Sequence, residues 1–300
     1  MYHFEHQAMA TYFKLTIAKE EENYAAGAAQ ACFERLDQLE LILSRFVPDS
    51  DVSRINRMTA GQELPLERET WDVLHQAISV QAWTAGTFDV GVGAYMDIFR
   101  AGKQGVLNAY EVARALEKAQ KVKASASLYI DPEWPRAYCV TPGVHFDLGG
   151  IGKGYALDQL ALLLADLDIE NYTISAGDST LLIRGAPSPE HQYWQFTLTS
   201  ANERRLLQLT DIAVSATGTT QQGKHIFDPR SGTNTGLSSY DRLWVACPIA
   251  AYADALSTGL FLLPPDQLRA LLAERPEISW AAYSLEGELI ILENNNVSLA

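Results

Sequence analysis

Asp147-Leu-Gly-Gly-Ile-Gly-Lys153-Gly-Tyr-Ala-Leu-Asp158 is a glycine-rich turn between a predicted strand and a predicted helix. Four glycines within six residues let the backbone approach a ligand closely. The helix amino terminus adds N–H donors and partial positive charge, and Lys153 adds a full charge, which suits phosphate. The spacing is not that of a Walker A loop, because Asp147 stands where the first glycine belongs and Gly154 replaces the Ser or Thr. The pattern predicts either a phosphate site or a plain tight turn with a surface lysine.

Outward from this turn, helical and extended segments are mixed without strict alternation, which indicates the α+β class. Asn108 and Glu111 form a predicted capping box. Apolar spacing predicts helices over 24–46, 68–84, 109–121, 153–167, 250–262 and 265–274. Extended patterns predict strands near 8–18, 127–131, 136–141, 172–175, 180–184, 193–199, 205–209, 243–247, 278–284 and 288–292. We predict one domain over 1–300, which could consist of two interleaved subdomains. Its last residues, 293–300, are predicted to form a flexible tail.

The charge balance excludes several classes of partner. With 23 Lys and Arg against 37 Asp and Glu, the 300-residue chain carries a formal net charge of −14. Such a chain repels nucleic acid and anionic membrane surfaces. Its three cysteines form no CxxC pair, which argues against a cysteine-based zinc site. The amino end has neither a basic region nor a continuous apolar run, and no segment is long enough to span a membrane, so we expect a cytoplasmic protein without membrane insertion.

Two further segments could carry chemistry. Asp254 and Thr258 are four residues apart on a predicted helix, so they share one face, and their oxygens are ligands that Mg²⁺ prefers. The alternative is an aspartate bonded to nearby backbone. The segment from His225 to Gly232 combines a histidine on a short strand with a turn rich in Asp, Pro, Ser and Gly. Its alternative interpretation is a hydrogen-bonded histidine beside a tight turn.

Taken together and in order, these segments resemble the ApbE family of FAD:protein FMN transferases over about residues 9–292. The segments that carry the resemblance are Met9-Ala-Thr11, Leu43-Ser-Arg-Phe46 leading to Ser53-Arg-Ile-Asn56, Thr84-Ala-Gly-Thr-Phe-Asp89, Asp147 to Asp158, Ala176-Gly-Asp178, His225 to Gly232 and Ala253 to Thr258. The resemblance implies an α+β, T-fold-like architecture with a cleft for FAD and Mg²⁺ at the diphosphate. It also implies transfer of FMN from FAD to a Thr or Ser hydroxyl of an acceptor protein, with release of AMP. The acceptor would carry a flavinylation motif beginning in Asp and ending in Thr.

The resemblance also implies roles for individual residues. The positions that match the family's flavin contacts are Met9, Ala10, Thr11, Phe46, Thr87, Phe88, Asp89, Asp147, Lys153, His225 and Ile226. Those that match its metal ligands are Asp254, Thr258, a main-chain carbonyl at Gly150 and another at Ser257. Our catalytic candidates are His225, Asp89 and Lys153. His225 and Asp89 are candidates for the base that accepts the acceptor's proton, and His225 is favoured because an unperturbed histidine titrates near neutrality.

Several positions depart from the family's pattern. Ala216-Thr217-Gly218 stands where Thr-Ser-Gly is usual, Ala176-Gly177-Asp178 where Gly-Gly-Asp is usual, and Phe46 where Tyr is usual. The loop over 219–224 is also short. These departures leave two other functions open: an Mg²⁺-dependent FAD pyrophosphatase that gives FMN and AMP, and a flavin-binding protein without turnover.

Overall fold

The structure is a computed structural model that describes residues 1–218, 227–230, 233–234 and 240–294. The chain divides into two compact units whose segments interleave along the sequence. The first unit comprises Met1–Gln38, Ile151–His225 and Leu237–Ala300, and the second comprises Leu39–Gly150 and Ile226–Gly236. Helices accompany antiparallel strands in each, which confirms the predicted α+β class.

The described elements follow one another in a mixed order. The helices are α1 (Glu22–Leu43), α2 (Asp51–Ile55), α3 (Arg68–Trp83), α4 (Gly93–Lys103), α5 (Ala109–Ser125), α6 (Gly152–Asp166), α7 (Ala250–Leu260) and α8 (Pro265–Glu274). The strands are β1 (Tyr2–Ala8), β2 (Thr11–Ile17), β3 (Glu63–Pro65), β4 (Ser127–Ile130), β5 (Arg136–Thr141), β6 (Tyr172–Ala176), β7 (Thr180–Arg184), β8 (Trp194–Thr199), β9 (Arg204–Leu209), β10 (Ile212–Gly218), β11 (Phe227–Asp228), β12 (Thr233–Asn234), β13 (Arg242–Cys247), β14 (Trp280–Leu285) and β15 (Glu288–Glu293). The capping box predicted for Asn108 and Glu111 is present at the start of α5.

An antiparallel sheet of order β1-β2-β6-β7-β10-β13-β14-β15 forms the centre of the first unit. Successive side chains of a strand point to opposite faces. On β10, Ile212 and Val214 pack with Leu198 and Leu207 of the β8–β9 hairpin. Ser215 follows Val214 on β10 and points to the opposite face. There its hydroxyl lies 3.5 Å from the carboxylate of Asp254 on α7. The sheet therefore has an apolar face under the hairpin and a face on which polar groups meet α7.

A smaller antiparallel sheet of order β3-β5-β4 lies in the second unit. Helix α3 is tied to the turn after β4, because the indole N–H of Trp71 donates to the main-chain carbonyl of Asp131 at 2.6 Å. The carboxylate of Asp131 in turn accepts from the main-chain N–H groups of Glu133 and Trp134. These bonds fix the Pro-containing turn between β4 and β5.

The strand predicted over 8–18 is confirmed over Thr11–Ile17, whereas the preceding strand β1 was not predicted. β1 and β2 form a hairpin in which Ala8 faces Thr11, so Met9 and Ala10 make a two-residue turn. Both turn residues have positive φ, 50° and 58°. That combination matches the right-handed twist of a hairpin, although left-handed backbone costs a residue with a side chain about 1–2 kcal/mol. Neither residue is the Gly or Asn that usually marks such a turn, so composition concealed it.

Two further features differ from the prediction: the start of the carboxyl-terminal tail and the presence of helix α4. Glu293 belongs to β15, and Asn294 is buried with its side-chain amide donating to the carbonyls of Leu272, Arg275 and Ile278. The chain therefore remains ordered past the start predicted for the tail, and residues 295–300 lie outside the described part. Helix α4 was not predicted, because it buries little more than Gly93 and Tyr95 and so lacks a regular apolar stripe.

Helices α6 and α7 touch at their main chains. A Cβ atom built on Gly154 would overlap the carbonyl oxygen of Ala250 and would lie 2.8 Å from the Cα of Ala251. Gly154 is in the first turn of α6, and Ala250 begins α7. Only glycine permits this approach, so the glycine-rich turn has a structural function in pairing the two helices.

A carboxylate from α6 caps the amino terminus of α7. Asp158 accepts hydrogen bonds from the main-chain N–H groups of Ala250 and Ala251, each at 2.8 Å. These N–H groups have no partner within their own helix. Burial raises the pKa of Asp158 to about 6, against the lowering effect of the two hydrogen bonds and of Arg184. Asp158, the last residue of the glycine-rich segment, thus fixes the start of α7.

Within the described part of the chain, no helix combines the length and the apolar character needed to cross a membrane.

We expect Gly154→Ala to lower the free energy of unfolding by about 2–3 kcal/mol, because the new methyl group overlaps the main chain of α7. Gly27→Ala is the matched control, because Gly27 lies in α1 with open space around its Cα. That control should gain up to about 1 kcal/mol from helix propensity alone. Urea unfolding of both variants measures the difference, and equal stability of the Gly154 variant and the unchanged protein would contradict the close contact.

Asp158 should make stability fall as pH rises. Its carboxyl titrates near pH 6 in the folded chain and near about 3.9 in the unfolded chain, so between these values the folded state holds a proton that the unfolded state has lost. The stability of the unchanged protein minus that of Asp158→Asn should therefore drop by about 2–3 kcal/mol between pH 4 and pH 7. Urea unfolding of both proteins across this range tests the sign; a difference that rises with pH contradicts it.

Candidate functional site

Asp254 is a buried carboxylate at the centre of the site in the first unit. Its Oδ2 atom accepts from the main-chain N–H of Gly154 at 3.0 Å and lies 3.8 Å from the Nζ atom of Lys153. Its Oδ1 atom accepts from the hydroxyl groups of Thr180 at 3.3 Å and Ser215 at 3.5 Å. Three elements therefore surround the carboxylate: α6 at Oδ2, and β7 and β10 at Oδ1.

The two other predicted ligands on α7 have hydroxyl groups turned toward their own helix. The Ser257 hydroxyl donates to the main-chain carbonyl of Asp254 at 3.0 Å, and the Thr258 hydroxyl donates to the same carbonyl at 3.3 Å. Ser257 also lies 3.0 Å from the hydroxyl of Thr217. The structure therefore has Asp254 and Thr258 four residues apart on α7, as the spacing predicted, with Ser257 beside them.

Lys153 is in the first turn of α6, and its side chain is about a quarter exposed. The turn holds it beside Asp254 while the amino terminus of the helix contributes partial positive charge. This places two sources of positive charge next to a single buried carboxylate. An anionic group such as phosphate is the ligand that such an arrangement favours.

The predicted flavin-contact segment at the amino end lies on the hairpin turn of β1 and β2. A Cβ atom built on Gly177 would lie 2.6 Å from the hydroxyl oxygen of Thr11, and the N–H of Gly177 donates to the carbonyl of Tyr12. The backbone of Gly177 has a positive φ of 57°. Glycine at this position therefore lets the segment Ala176-Gly177-Asp178 lie against Thr11.

In the second unit, the predicted contact Asp147 is held by a buried arginine. The Nε atom of Arg45 lies 2.9 Å from Asp147 Oδ2, an ion pair without hydrogen-bond geometry. Two further guanidinium nitrogens of Arg45 donate to the carboxylate of Asp97 at 2.6 and 3.0 Å. Hydrogen bonding and the two carboxylates raise the pKa of Arg45 despite its burial. Asp147 Oδ1 accepts from the N–H of Gly149 at 2.8 Å.

The backbone that leads to Asp147 is fixed on both sides. The side-chain amide of Asn56 donates to the carbonyl of Phe146 at 3.0 Å and accepts from its N–H at 2.7 Å. The N–H of Asp147 donates to the carbonyl of Val90 at 2.8 Å. A Cβ atom built on Gly93 would lie 2.9 Å from the carbonyl oxygen of His145. The quoted segments Ser53–Asn56 and Thr84–Asp89 thus adjoin one backbone stretch.

Phe46 is an exposed ring close to two guanidinium groups. The Cζ atoms of Arg45 and Arg100 lie 4.8 and 4.9 Å from its centroid. Cations at this distance from an aromatic face are attracted to it. The ring is 63% exposed, so it offers an aromatic surface to a ligand.

The predicted contacts Thr87, Phe88 and Asp89 have different environments. Thr87 and Phe88 are buried, and the Thr87 hydroxyl donates to the carbonyl of Thr84. The carboxylate of Asp89 accepts from Lys123 Nζ at 2.6 Å and from the N–H of Gly91 at 2.7 Å. Each oxygen of Asp89 therefore accepts one hydrogen bond, and the Lys123 ammonium forms an ion pair with this carboxylate.

Three of the predicted site residues are not part of these clusters. Gly150 belongs to the second unit. His225 and Ile226 lie outside the described residues, so their predicted roles stay predictions. Of the segment that follows them, Asp228 is described and accepts from the side chain of Arg230 at 2.8 Å.

Sequence reasoning did not identify four polar side chains that hold the predicted residues in place. Thr180 and Ser215 contact Asp254, Arg45 contacts Asp147, and Lys123 contacts Asp89. Arg45 could have been noticed as the one cation in the quoted Leu43–Phe46 segment. The other three carry no local signal, because each lies at least 34 residues from its partner.

Comparison with known proteins identifies related sequences. A family model described as "ApbE family" matches residues 9–281. A Klebsiella pneumoniae protein named FAD:protein FMN transferase is 24% identical over 294 residues, which cover 90% of this chain and 80% of that protein. A Haemophilus influenzae protein of the same name is 27% identical over 244 residues, which cover 75% of this chain and 69% of that protein.

Solved structures share the fold. The flavin transferase ApbE from Vibrio cholerae matches with a TM-score of 0.82 at 19% identity, covering 98% of this chain and 97% of that one. The apo form of the Pseudomonas stutzeri flavinyl transferase ApbE also matches with a TM-score of 0.82, at 23% identity over 98% of this chain and 95% of that one. At these identities the likeness is one of fold.

We expect Arg45→Met to lower the free energy of unfolding by about 1–3 kcal/mol, because it leaves Asp147 without its cation inside the protein. Arg100→Met is the matched control, since Arg100 stacks on the same Phe46 ring but is half exposed. The control should change stability by less than about 1 kcal/mol. Urea unfolding compares the two variants, and an equal loss in both would show that the ion pair with Asp147 contributes nothing beyond the stacking.

Proposed function

The chain belongs to the ApbE family, and we propose that it is an Mg²⁺-dependent FAD:protein FMN transferase. In this proposal the FMN half of FAD moves to a Thr or Ser hydroxyl of an acceptor protein, and AMP leaves. The names of the relatives from Klebsiella pneumoniae and Haemophilus influenzae support the activity. The finer assignments of metal, product and residues are supported by the chemistry of the site.

The observation that carries the metal assignment is the donor set around Asp254. Among the described residues, no group of three or more His, Cys, Asp or Glu side chains is placed to hold a metal ion. One carboxylate with neighbouring hydroxyl oxygens is, however, a donor set that suits Mg²⁺, which keeps several waters and shares substrate phosphates. Asp254 and Thr258 would hold the ion, with main-chain carbonyls of Ser257 and Gly150 as the further proposed ligands. When bound, Mg²⁺ supplies positive charge to the diphosphate oxygens.

The residues of the first unit would bind the phosphates through charge and position. Lys153 and the amino terminus of α6 offer positive charge beside Asp254. A chain with a net charge of −14 needs such local positive charge to hold an anionic dinucleotide. Phosphoryl transfer depends mostly on positioning and on neutralising charge, so these groups are the main contribution expected from the protein.

The proposed reaction forms one P–O bond and breaks another. The acceptor hydroxyl oxygen attacks the phosphorus of the FMN half, and the bond from that phosphorus to the AMP oxygen breaks. The hydroxyl proton passes to a base, for which His225 remains our candidate. Asp89 is the second candidate, and its carboxylate is already engaged in an ion pair with Lys123.

The flavin would lie against the contacts predicted from the family. Phe46 offers an exposed aromatic face, and Asp147 is fixed by Arg45 and Gly149. Met9, Ala10 and Thr11 lie on a rigid hairpin turn. The acceptor, a protein with a flavinylation motif, and the cytoplasmic location are part of the same proposal, as is the absence of a nucleic-acid partner.

Nucleotide analysis of the full chain tests this proposal. The protein is incubated with FAD and Mg²⁺, with and without a Thr-containing acceptor domain. AMP together with covalent FMN on the acceptor is the expected result. AMP with free FMN in both samples would instead establish the pyrophosphatase, and bound but intact FAD in both would establish a flavin-binding protein without turnover.

Asp254→Asn should reduce AMP formation by more than about 100-fold, because the amide cannot supply the charged oxygen for Mg²⁺. Asp166→Asn, at the exposed end of α6, changes the net charge equally and should keep full activity. Rates at saturating FAD across a range of Mg²⁺ concentrations compare the variants. Full activity in the Asp254 variant would refute its assignment as a metal ligand.

A further inference from the structure

A row of hydroxyl groups lies behind Asp254. It runs from Thr180 to Ser215, on to Ser257 and then to Thr217, with oxygen–oxygen distances of 3.0, 3.3 and 3.0 Å. Thr180, Ser215 and Ser257 are each no more than 2% exposed. The row therefore lies in the interior of the first unit and has little access to water.

The sheet register creates this row. Ser215 of β10 faces Thr180 of β7 directly, so their hydroxyl groups meet across the strand pair. Thr217 follows Ser215 on the same face, because residues two apart on a strand point the same way. Helix α7 lies over this face and brings Ser257 and Asp254 to the hydroxyl groups. Two strands and one helix thus converge on a single carboxylate.

Burying these hydroxyl groups costs free energy, and the hydrogen bonds among them offset that cost. A buried hydroxyl without a partner destabilises a protein by about 1–3 kcal/mol. Thr180 and Ser215 contact one another, Ser179, Ser257 and the Oδ1 atom of Asp254. The acceptor with full negative charge in this set is Asp254, so the hydroxyl dipoles have most to gain by pointing to it.

The carboxylate of Asp254 has more acceptor positions than its hydrogen-bond donors occupy. A carboxylate offers about four lone-pair positions. Because each hydroxyl has one proton and Thr180 and Ser215 also bond one another, at least one proton of the pair is available to Oδ1, and the N–H of Gly154 occupies one position on Oδ2. A position therefore remains open on Oδ2, the oxygen nearest Lys153.

We propose that Thr180 and Ser215 are positioning residues that hold the carboxylate of Asp254 for a divalent cation. The proposal rests on the proposed function, because it takes Asp254 as a metal ligand. The hydroxyl pair at Oδ1 and the N–H of Gly154 at Oδ2 fix both ends of the carboxylate, so it need not be ordered when the cation binds. Partners behind a metal ligand commonly change metal affinity by about 10–100-fold when they are removed.

Binding of Mn²⁺ alone, followed by the EPR signal of the free ion, tests the proposal without measuring activity. The full chain is compared with Thr180→Val and Ser215→Ala, and we expect each variant to raise the Kd for Mn²⁺ by about tenfold. Thr180→Ser keeps the hydroxyl and should bind almost as tightly as the unchanged protein. It also keeps the test decisive if the valine variant does not fold.

Ser284→Ala is the matched control. Ser284 is a buried serine of the same sheet, and it donates to a different carboxylate, that of Asp241, at 3.2 Å. Its removal should leave Mn²⁺ affinity unchanged. Asp254→Asn serves as the reference without the metal ligand.

The outcomes separate this proposal from the one on which it rests. If Asp254→Asn abolishes binding while Thr180→Val and Ser215→Ala bind like the unchanged protein, the positioning role is wrong and the metal site stands. If the Asp254 variant binds Mn²⁺ like the unchanged protein, or the unchanged protein binds none, both proposals fail. An equal loss in Ser284→Ala would show that any buried hydroxyl of the sheet has this effect, which also overturns the positioning role.

Discussion

The main-chain contact between α6 and α7 is the constraint on which the site in the first unit depends. Because Gly154 has no side chain, its N–H comes within 3.0 Å of the carboxylate of Asp254. The same approach lets Asp158 reach the two N–H groups that begin α7. A single residue type at one position thus brings a helix amino terminus, a lysine and a buried acid into one place.

Each unit buries acidic groups and neutralises them in its own way. In the first unit, Asp254 and Asp158 rely on main-chain N–H groups and hydroxyl groups, with Lys153 at 3.8 Å from Asp254. In the second unit, Asp147 relies on the full charge of Arg45. Lys153 is farther from Asp254, at 3.8 Å, than Arg45 is from Asp147, at 2.9 Å, so the carboxylate of Asp254 retains more of its attraction for an added cation. This difference supports Asp254 rather than Asp147 as the metal ligand.

The sequence predicted those parts of the site that have a local pattern. The spacing of Asp254 and Thr258 predicted a shared helix face, and the structure has both on α7. The sequence left two interpretations of the glycine-rich segment, a ligand-binding loop and a tight turn. The close contact of Gly154 with the main chain of Ala250 shows that helix packing is at least one reason for its glycines. Thr180 and Ser215 could not be predicted, because only the β7–β10 register brings them together. The Met9–Ala10 turn was missed for a related reason, since its backbone conformation is set by the strand pair and not by its residue types.

Crystals grown with FAD and Mn²⁺ would test the metal assignment most directly. Anomalous scattering at the manganese edge locates the ion independently of any activity. We predict a single strong peak in contact with a carboxylate oxygen of Asp254 and close to the hydroxyl of Thr258. A peak elsewhere while FAD is bound, with Asp254 still bonded only to Gly154 and its hydroxyl partners, would contradict the proposed role of this carboxylate.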